Sequence, residues 1–596
     1  MASVHRKSIV VGFLIGSILT GSAALTYKYR ATFKKWFSST APAVIPTNPY
    51  EGSVGKGGGP TNNFRWPTPP WKATPDNIEV VAVDAPLTIA IDRTVLKDGT
   101  LDPATISTQN VGLVDTASGS LVPSSVKLND ARDAIVVTPN APLKPAANYM
   151  LHLGNGVKLA DGTPMDGYVS AFYTKVPDDV AKTIRFEAVP QQKIVGFGGA
   201  SSLHFGPDGK LYAGLVTGEI IRYAVNPDGT LGASERLPGV TAAHGKARFV
   251  AFVFDPKSTP DNLIIYASHT PLIGTTGRPL TSVANWSAVI SRLSGPKLEK
   301  VEDVVVNLPR SFIDHQTFEP VWGPDGALYF HQGAQNAFGY PDEIWGWRGE
   351  TPLSASVLRL DVSKWTPGTP IDVKTMDGGG TYDPAAPGAP LTVYASGIRV
   401  AYNIRFHSNG HLYGGINGSS AYGNTPAGPG TPPIPQIPMI EHDWLFDIRK
   451  GAYYGHPNPS QGHFAFNGAN PTPGIDPFEV PFYPVGTQPD SQWRKPIMDV
   501  GRNISSNGML EYQNADAFGG KLKGKLVLCR YNVGSDLIFV GVDGPDGTVS
   551  SVWTQVDGAK DLKNPLAIVE DPKTGNLYVS EFDPGVQRIT LLRPAK

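Results

Sequence analysis

One phrase recurs six times in the C-terminal two thirds of this chain, and it restricts the fold more than any other feature. An apolar stretch enters a tight turn and leaves through Leu-Tyr or a close variant. It reads FGPDGKLYAG at 205–214, VFDPKSTPDNLIIYAS at 253–268, WGPDGALYF at 322–330 and FHSNGHLYGG at 406–415, with a looser copy FGGKLKGKLVLC at 518–529 and a last one VEDPKTGNLYVS at 569–580. Each copy has the chemistry of a hairpin. Pro presets one turn dihedral, Asp or Asn accepts local backbone hydrogen bonds, and Gly supplies positive φ. A hairpin unit with one apolar face cannot stand alone, but units stacked radially bury that face against one another. Six copies between residue 183 and the C-terminus therefore predict an all-β, six-bladed β-propeller over 183–596. The intervals between copies are unequal, and the extra length at 364–392 and 415–500 is rich in Gly, Pro and aromatics. Long loops there are expected to cover one end of the ring, where binding usually sits.

Composition excludes several alternatives. Lys and Arg number 51 against 52 Asp and Glu, a balance that lacks the basic face a nucleic-acid binder needs. Gly and Pro, 66 and 55 residues, have no Gly-X-Y period, so they mark turns and not collagen. The single cysteine, Cys529, rules out an intramolecular disulfide and a thiolate zinc cluster, and reads as a small buried hydrophobe. No Gly-x-Gly-x-x-Gly in a βαβ setting and no Gly-x-Ser-x-Gly elbow occurs.

Three segments precede the ring. Residues 1–36 contain an uncharged run, SIVVGFLIGSILTGSAALT at 8–26, flanked by basic residues. This predicts a membrane anchor or export signal, with the bulk of the protein membrane-anchored or exported and the propeller outside the cytoplasm. Residues 37–76 are rich in Pro, Gly, Ser and Thr and read as a tether. Residues 77–177 carry short alternating strands such as LTIAI at 87–91 and YMLHL at 149–153, separated by Lys97-Asp98-Gly99 and Ala160-Asp161-Gly162 turns. About seven strands in a hundred residues predict a β-sandwich. The runs at 89–115 and 136–167 also resemble bacterial Ig-like domains of the surface-layer type, which implies a spacer or adhesion element.

The ring itself resembles the glucose/sorbosone dehydrogenase family of quinoproteins. The residues that carry the resemblance are DHQTFEPVWGPDGALYFHQGAQN (314–336), YASGIRVAYNIRFHSNGHLYGG (394–415), IRKGAYYGHPN (448–458) and NPLAIVEDPKTGNLYVSEF (564–582). The resemblance implies a six-bladed propeller that uses pyrroloquinoline quinone (PQQ) and Ca²⁺ to oxidise a sugar or polyol, passing electrons to an external acceptor. It places the catalytic base at His315, an imidazole suited to accept a proton near neutrality. It places a cofactor clamp at Arg399, with Gln335 and Asn336 as further polar contacts. Ca²⁺ would be held by backbone carbonyls in the loop from Asn417 to Gly430. Departures from the family pattern fall at Val400 and Asn564, where the family has Asn and Arg, and at Ala334, where it has Asp. They leave a second reading open, a non-catalytic propeller that serves as a surface binding or adhesion module. The histidines 407, 411, 442, 456 and 463 match no compact ligand spacing and read as hydrogen-bonded loop residues. Trp322, Trp345 and Trp347 are candidates to stack on a sugar ring or to pack blades.

Overall fold

The computed structural model describes residues 68–596, apart from 194–198, 246, 272–283, 343, 420–421, 438, 473, 480–481, 584 and 596. The segment expected to reach a membrane lies outside the described residues. No helix among the described residues is long and apolar enough to cross one.

Six antiparallel sheets form a propeller. The first blade is built from Ala200–Phe205, Leu211–Leu215, Ile220–Val225 and Leu231–Leu237, and the second from Ala247–Phe254, Ile264–Pro271, Trp286–Ser294 and Lys300–Pro309. The third contains Val321–Trp322, Leu328–Gln332, Ser356–Leu360 and Leu391–Ser396; the fourth contains Ala401–Phe406, Leu412–Ile416, His442–Asp447 and Met498–Arg502. The fifth contains Ser506–Glu511, Lys525–Arg530, Asp536–Gly541 and Ser551–Trp553. The sixth joins Pro565–Asp571, Asn576–Asp583 and Val586–Pro594 to the early strand Phe186–Lys193. That early strand pairs antiparallel with the last one, Phe186 opposite Pro594 and Val189 opposite Leu591, and so closes the ring. Successive inner strands touch around the axis, and Trp322 Nε1 donates to the Phe254 carbonyl at 2.8 Å between the second and third blades.

Each recurring phrase joins the innermost strand of a blade to its second strand. Its Tyr serves the turn as well as the strand. The Tyr212 hydroxyl donates to Asp208 and the Tyr329 hydroxyl to Asp325, both at 3.0 Å, while Asn409 Nδ2 donates to the Tyr413 oxygen at 2.9 Å. The ring of that Tyr also explains the glycine that opens the phrase. A Cβ on Gly206 would stand 2.5 Å from the Tyr212 ring, and one on Gly323 would stand 2.3 Å from the Tyr329 ring.

Ahead of the ring, two sheets pack face to face over Trp71–Thr174. One has the order Trp71–Thr74, Leu87–Ile91, Ala134–Pro139, Ser124–Leu128; the other Val80–Val81, Tyr168–Thr174, Asn148–Leu153, Val111–Asp115, Ser120–Leu121. Alternation does what the sequence pattern predicts in Leu87–Ile91, where every second side chain is buried. The sandwich begins earlier than composition indicates. Trp71 is buried and its Nε1 donates to the Asp166 carbonyl at 2.7 Å, so a Pro-rich stretch read as tether contributes the first strand. In the apolar run IEVVAV at 78–83 only Val80–Val81 is strand, and Ile78 ahead of it turns with φ 65°.

The sandwich is seated on the fourth blade. The Tyr173 hydroxyl donates to the Val500 carbonyl at 2.9 Å, Asn77 Nδ2 donates to the Arg502 carbonyl at 3.0 Å, and Arg502 returns its N–H to Asn77 Oδ1 at 2.6 Å. Arg530 and Asp536 of the fifth blade lie beneath this seam as a fully buried bidentate pair, and the guanidinium packs under the Tyr173 ring at 5.5 Å. Of the two long excursions, the one after Leu360 does not cover the ring. Its Ile371–Asp372 segment adds in parallel to the outer strand of the second blade.

Candidate functional site

The inner strands all begin at one face of the ring, and their tight turns lie at the other. Residues at the heads of inner strands, and at the ends of second strands, therefore converge on the axis at the face opposite the turns. They line a cavity of about 350 Å³ to which every blade contributes. The second blade supplies Arg248, the approach to the third His315, and the approach to the fourth Arg399. His315 thus stands between two guanidiniums in ring order. Trp345, from the loop after the third blade's second strand, ties two of them together. Its ring centroid is 4.2 Å from that of His315, and Arg399 Cζ lies 5.5 Å above it.

The proton state of His315 follows from its partners. Nδ1 is 2.9 Å from the Ala334 carbonyl oxygen, which can only accept, so Nδ1 carries the hydrogen. The lone pair is then on Nε2, and Asp314 Oδ1 is 3.9 Å from that atom. Burial first, and the Arg399 charge second, hold the imidazole well below its ordinary range, so it is neutral, with no proton on Nε2. Arg399 is fixed in turn by Nη1, which donates to the Gly418 carbonyl at 2.8 Å.

The positive character of this wall continues behind it. Arg310 is fully buried and donates to the Ser311 and Ile313 carbonyls, with no carboxylate among its hydrogen-bond partners in the described residues. Burial lowers its guanidinium to about 9. Past Arg399 the cavity has a polar side. Asn417, Asn503, Asn507 and Asn532 line it from the fourth and fifth blades, and Asn417 Oδ1 and Asn532 Oδ1 are buried with no hydrogen-bond partner among the described residues. Asp443 completes that side. Its oxygens accept the Gly418 and Ser505 backbone N–H groups at 2.7 and 2.5 Å, and burial pushes its carboxyl up to about 7. Val250, Phe318 and Val400 form an apolar patch in the same lining, with Tyr402 packed against it.

The structure brings His315 and Arg399 together and leaves Gln335 and Asn336 outside the lining. A Cβ on Gly333 would lie 2.8 Å from His315 Cβ, so the chain passes close behind the histidine and continues away from the axis. The Gln335 and Asn336 backbone N–H groups cap the Glu350 carboxylate, and Asn336 Nδ2 donates to the Arg348 carbonyl at 3.1 Å. Of the loop from Asn417 to Gly430, Asn417, Gly418 and Ser419 reach the cavity. The Gly418 carbonyl is engaged by Arg399. Oxygens on that side able to hold a hard cation are Asn417 Oδ1 and the carboxylates of Glu441 and Asp443. Trp322 packs between blades and Trp347 is exposed, so Trp345 is the tryptophan at the cavity.

No family model matches the sequence, and no curated protein matches it. Among solved structures, the chain is similar to the PQQ-bound aldose sugar dehydrogenase of Streptomyces coelicolor, with 16% identity and a TM-score of 0.43 over 69% of this chain and 98% of that one. It is similar to a putative oxidoreductase (glucose dehydrogenase) of Thermus thermophilus, with 18% identity and a TM-score of 0.42 over 68% of this chain and 99% of that one. A third is the PQQ domain of pyranose dehydrogenase from Coprinopsis cinerea, with 11% identity and a TM-score of 0.44 over 68% of this chain and 95% of that one.

Sequence reasoning missed Arg248, Tyr402 and the cavity asparagines other than Asn417, which are Asn503, Asn507 and Asn532. Arg248 had a local signal, a cation at the head of the otherwise apolar run FVAFVF. Those three asparagines had none, because their shared position exists only once the ring closes. The scattered histidines are each engaged separately, His442 with Asp499, His456 with Glu350 and His463 with Asp490, as their spacing predicts. Cys529 is buried, and burial raises its thiol far above the ordinary range.

Proposed function

We propose that this protein is a quinoprotein-like dehydrogenase that oxidises a sugar or polyol hydroxyl in the axial cavity. The observation that carries the reading is the convergence of His315 and Arg399 on one opening, with the imidazole lone pair on Nε2. The cavity fits the quinone by size and charge. Its volume of about 350 Å³ is within the ~300–1,000 Å³ range of small-ligand sites. Arg248 and Arg399 offer planar forks for carboxylates, with Arg310 adding positive potential behind them. Bound there, PQQ would supply a two-electron acceptor, and a calcium ion on the Asn417, Glu441 and Asp443 side would polarise it. His315 Nε2 takes the hydroxyl proton of the substrate, and the Asp314 carboxylate offsets the imidazolium charge that forms. Trp345 gives the substrate or cofactor an aromatic face, and the asparagines hydrogen-bond hydroxyl groups. Electrons leave to an external acceptor. The N-terminal segment would tether the protein to a membrane or direct its export, so that the ring works outside the cytoplasm.

The test is titration of the purified protein with PQQ and Ca²⁺, followed by dye reduction over a panel of aldoses and polyols. His315→Asn should retain the bound-quinone absorbance and lose turnover by ~10²–10⁴-fold. Arg399→Met should weaken quinone binding itself. A protein that shows neither quinone absorbance nor dye reduction would instead be the surface binding module. The observation favouring that second reading is Val400, whose apolar side chain occupies the lining beside Arg399.

A further inference from the structure

A second constellation lies in the second blade, away from the axial cavity and not used by the proposed chemistry. His269 stands near the end of the strand Ile264–Pro271, and Asp303 is in the outer strand Lys300–Pro309. His244 ends the short helix Thr241–His244, in the crossing from the first blade to the second. Separated by 25 to 59 residues in sequence, the three are brought together by the fold, and one ligand atom from each lies within 4.8 Å of the others. The imidazole centroids are 4.5 Å apart and the rings are tilted by 51°. None of the three lines the axial cavity.

Their hydrogen bonds show how the group is oriented. His244 Nε2 is 2.9 Å from Asp303 Oδ1, and Ser291 Oγ donates to the same oxygen at 2.7 Å. With its only hydrogen committed to Asp303, Ser291 must accept from His269 Nε2, 2.8 Å away. His269 therefore keeps its lone pair on Nδ1, and its other nitrogen is anchored through Ser291 to the carboxylate. This is the outer-shell arrangement that orients a ligating imidazole, in which the non-ligating N–H is held by a hydroxyl or carboxylate. Only His269 is deeply buried. The side chains of His244 and Asp303 are 28% and 29% exposed, so an ion has an entry path and solvent can fill a remaining coordination position.

We propose that His244, His269 and Asp303 bind a transition-metal ion of the Zn²⁺ type. Two nitrogens and one carboxylate make a borderline donor set, which suits Zn²⁺ and excludes Ca²⁺ or Mg²⁺, whose sites are built from oxygens. Tetrahedral bonds of ~2.0–2.2 Å set ligand atoms about 3.3–3.6 Å apart, so on binding the 2.9 Å His244–Asp303 contact opens and the wider spacings, up to 4.8 Å, close. The site clips the short helix of the first-to-second crossing onto the outer strand of the second blade. Its role is to fix that crossing, which leads directly to Arg248 at the head of the inner strand.

The experiment uses the full chain, purified without a polyhistidine tag, stripped with chelator and titrated with Zn²⁺ against a chromophoric competitor. One equivalent should bind tightly, and Asp303→Asn and His244→Gln should each weaken it at least 100-fold. Co²⁺ supplies a readout independent of stability, because a site of this kind gives intense visible d–d bands that His244→Gln should abolish. His244 is partly exposed at the end of a short helix, so that variant also guards against misfolding. His411→Gln, at a histidine outside the group, should change neither measurement. If the wild type binds no more Zn²⁺ than the His244→Gln/Asp303→Asn double variant, or if Co²⁺ yields no such bands, the residues are a hydrogen-bonded chain and the proposal falls.

Discussion

Replacing His152 by glutamine should flatten the acid side of the protein's stability profile. The imidazole is fully buried between the sandwich strand Asn148–Leu153 and the loop that carries Glu479. Its Nε2 lies 3.3 Å from the Glu479 carbonyl, and its Nδ1 has no hydrogen-bond partner among the described residues. Burial lowers it from 6.5 to about 4, against a smaller opposing effect of that hydrogen bond. Folded protein therefore keeps the ring neutral while unfolded chain protonates it below 6.5. Between those two values the unfolded state binds more protons, so stability falls as pH falls. The loss is about 2 kcal/mol between pH 7 and pH 5, and about 3 kcal/mol once pH reaches 4. Glutamine keeps an N–H donor for the Glu479 carbonyl but cannot titrate. Urea unfolding of both proteins at pH 7 and pH 5 isolates the effect, because His269, His315 and His331, also lowered, contribute equally to each. The wild type should lose about 2 kcal/mol more than the variant over that interval. Parallel pH profiles would refute the reasoning, since they would mean that the folded protein accepts a proton at His152 as readily as the unfolded chain does.

Two further outcomes follow from packing. Asp536→Asn leaves the Arg530 guanidinium buried without its counter-charge beneath the seam, and should lower stability by ~3–5 kcal/mol in denaturant unfolding. Arg530→Met combined with Asp536→Leu should recover most of that loss, because neither charge then remains buried. Gly558 has φ 79°, and a Cβ there would stand 1.9 Å from the Phe186 carbonyl oxygen. Gly558→Ala should therefore loosen the Phe186–Lys193 strand by about 2 kcal/mol or more, read as faster amide exchange in that strand than in the first blade.

Much of the architecture was legible because hairpin chemistry is local. Asp208, Asp325 and Asn409 each lie four residues before the Tyr they bond, so turn and strand are specified within ten residues. The sandwich was legible from alternation, except where Trp71 joins a Pro-rich stretch and finds its partner Asp166 only in the folded sheet. His315 and Arg399 were legible through a resemblance that spans their short motifs. Gln335 and Asn336 were selected for proximity in the chain, but a backbone that passes tightly behind His315 at Gly333 puts nearby residues on opposite sides of a wall. Arg248, Asn507 and Asn532 are the reverse case, distant in sequence and adjacent on the axis. Nothing in a linear pattern records that adjacency until the ring is closed.

That closure has a temporal side. The strand Phe186–Lys193 is synthesised some four hundred residues before Val586–Pro594, its antiparallel mate. On a ribosome the toroid stays an open arc, with its first sheet edge unclasped, until Val586–Pro594 has been made. A chain cut just before Val586 would carry five whole blades and no finished circle.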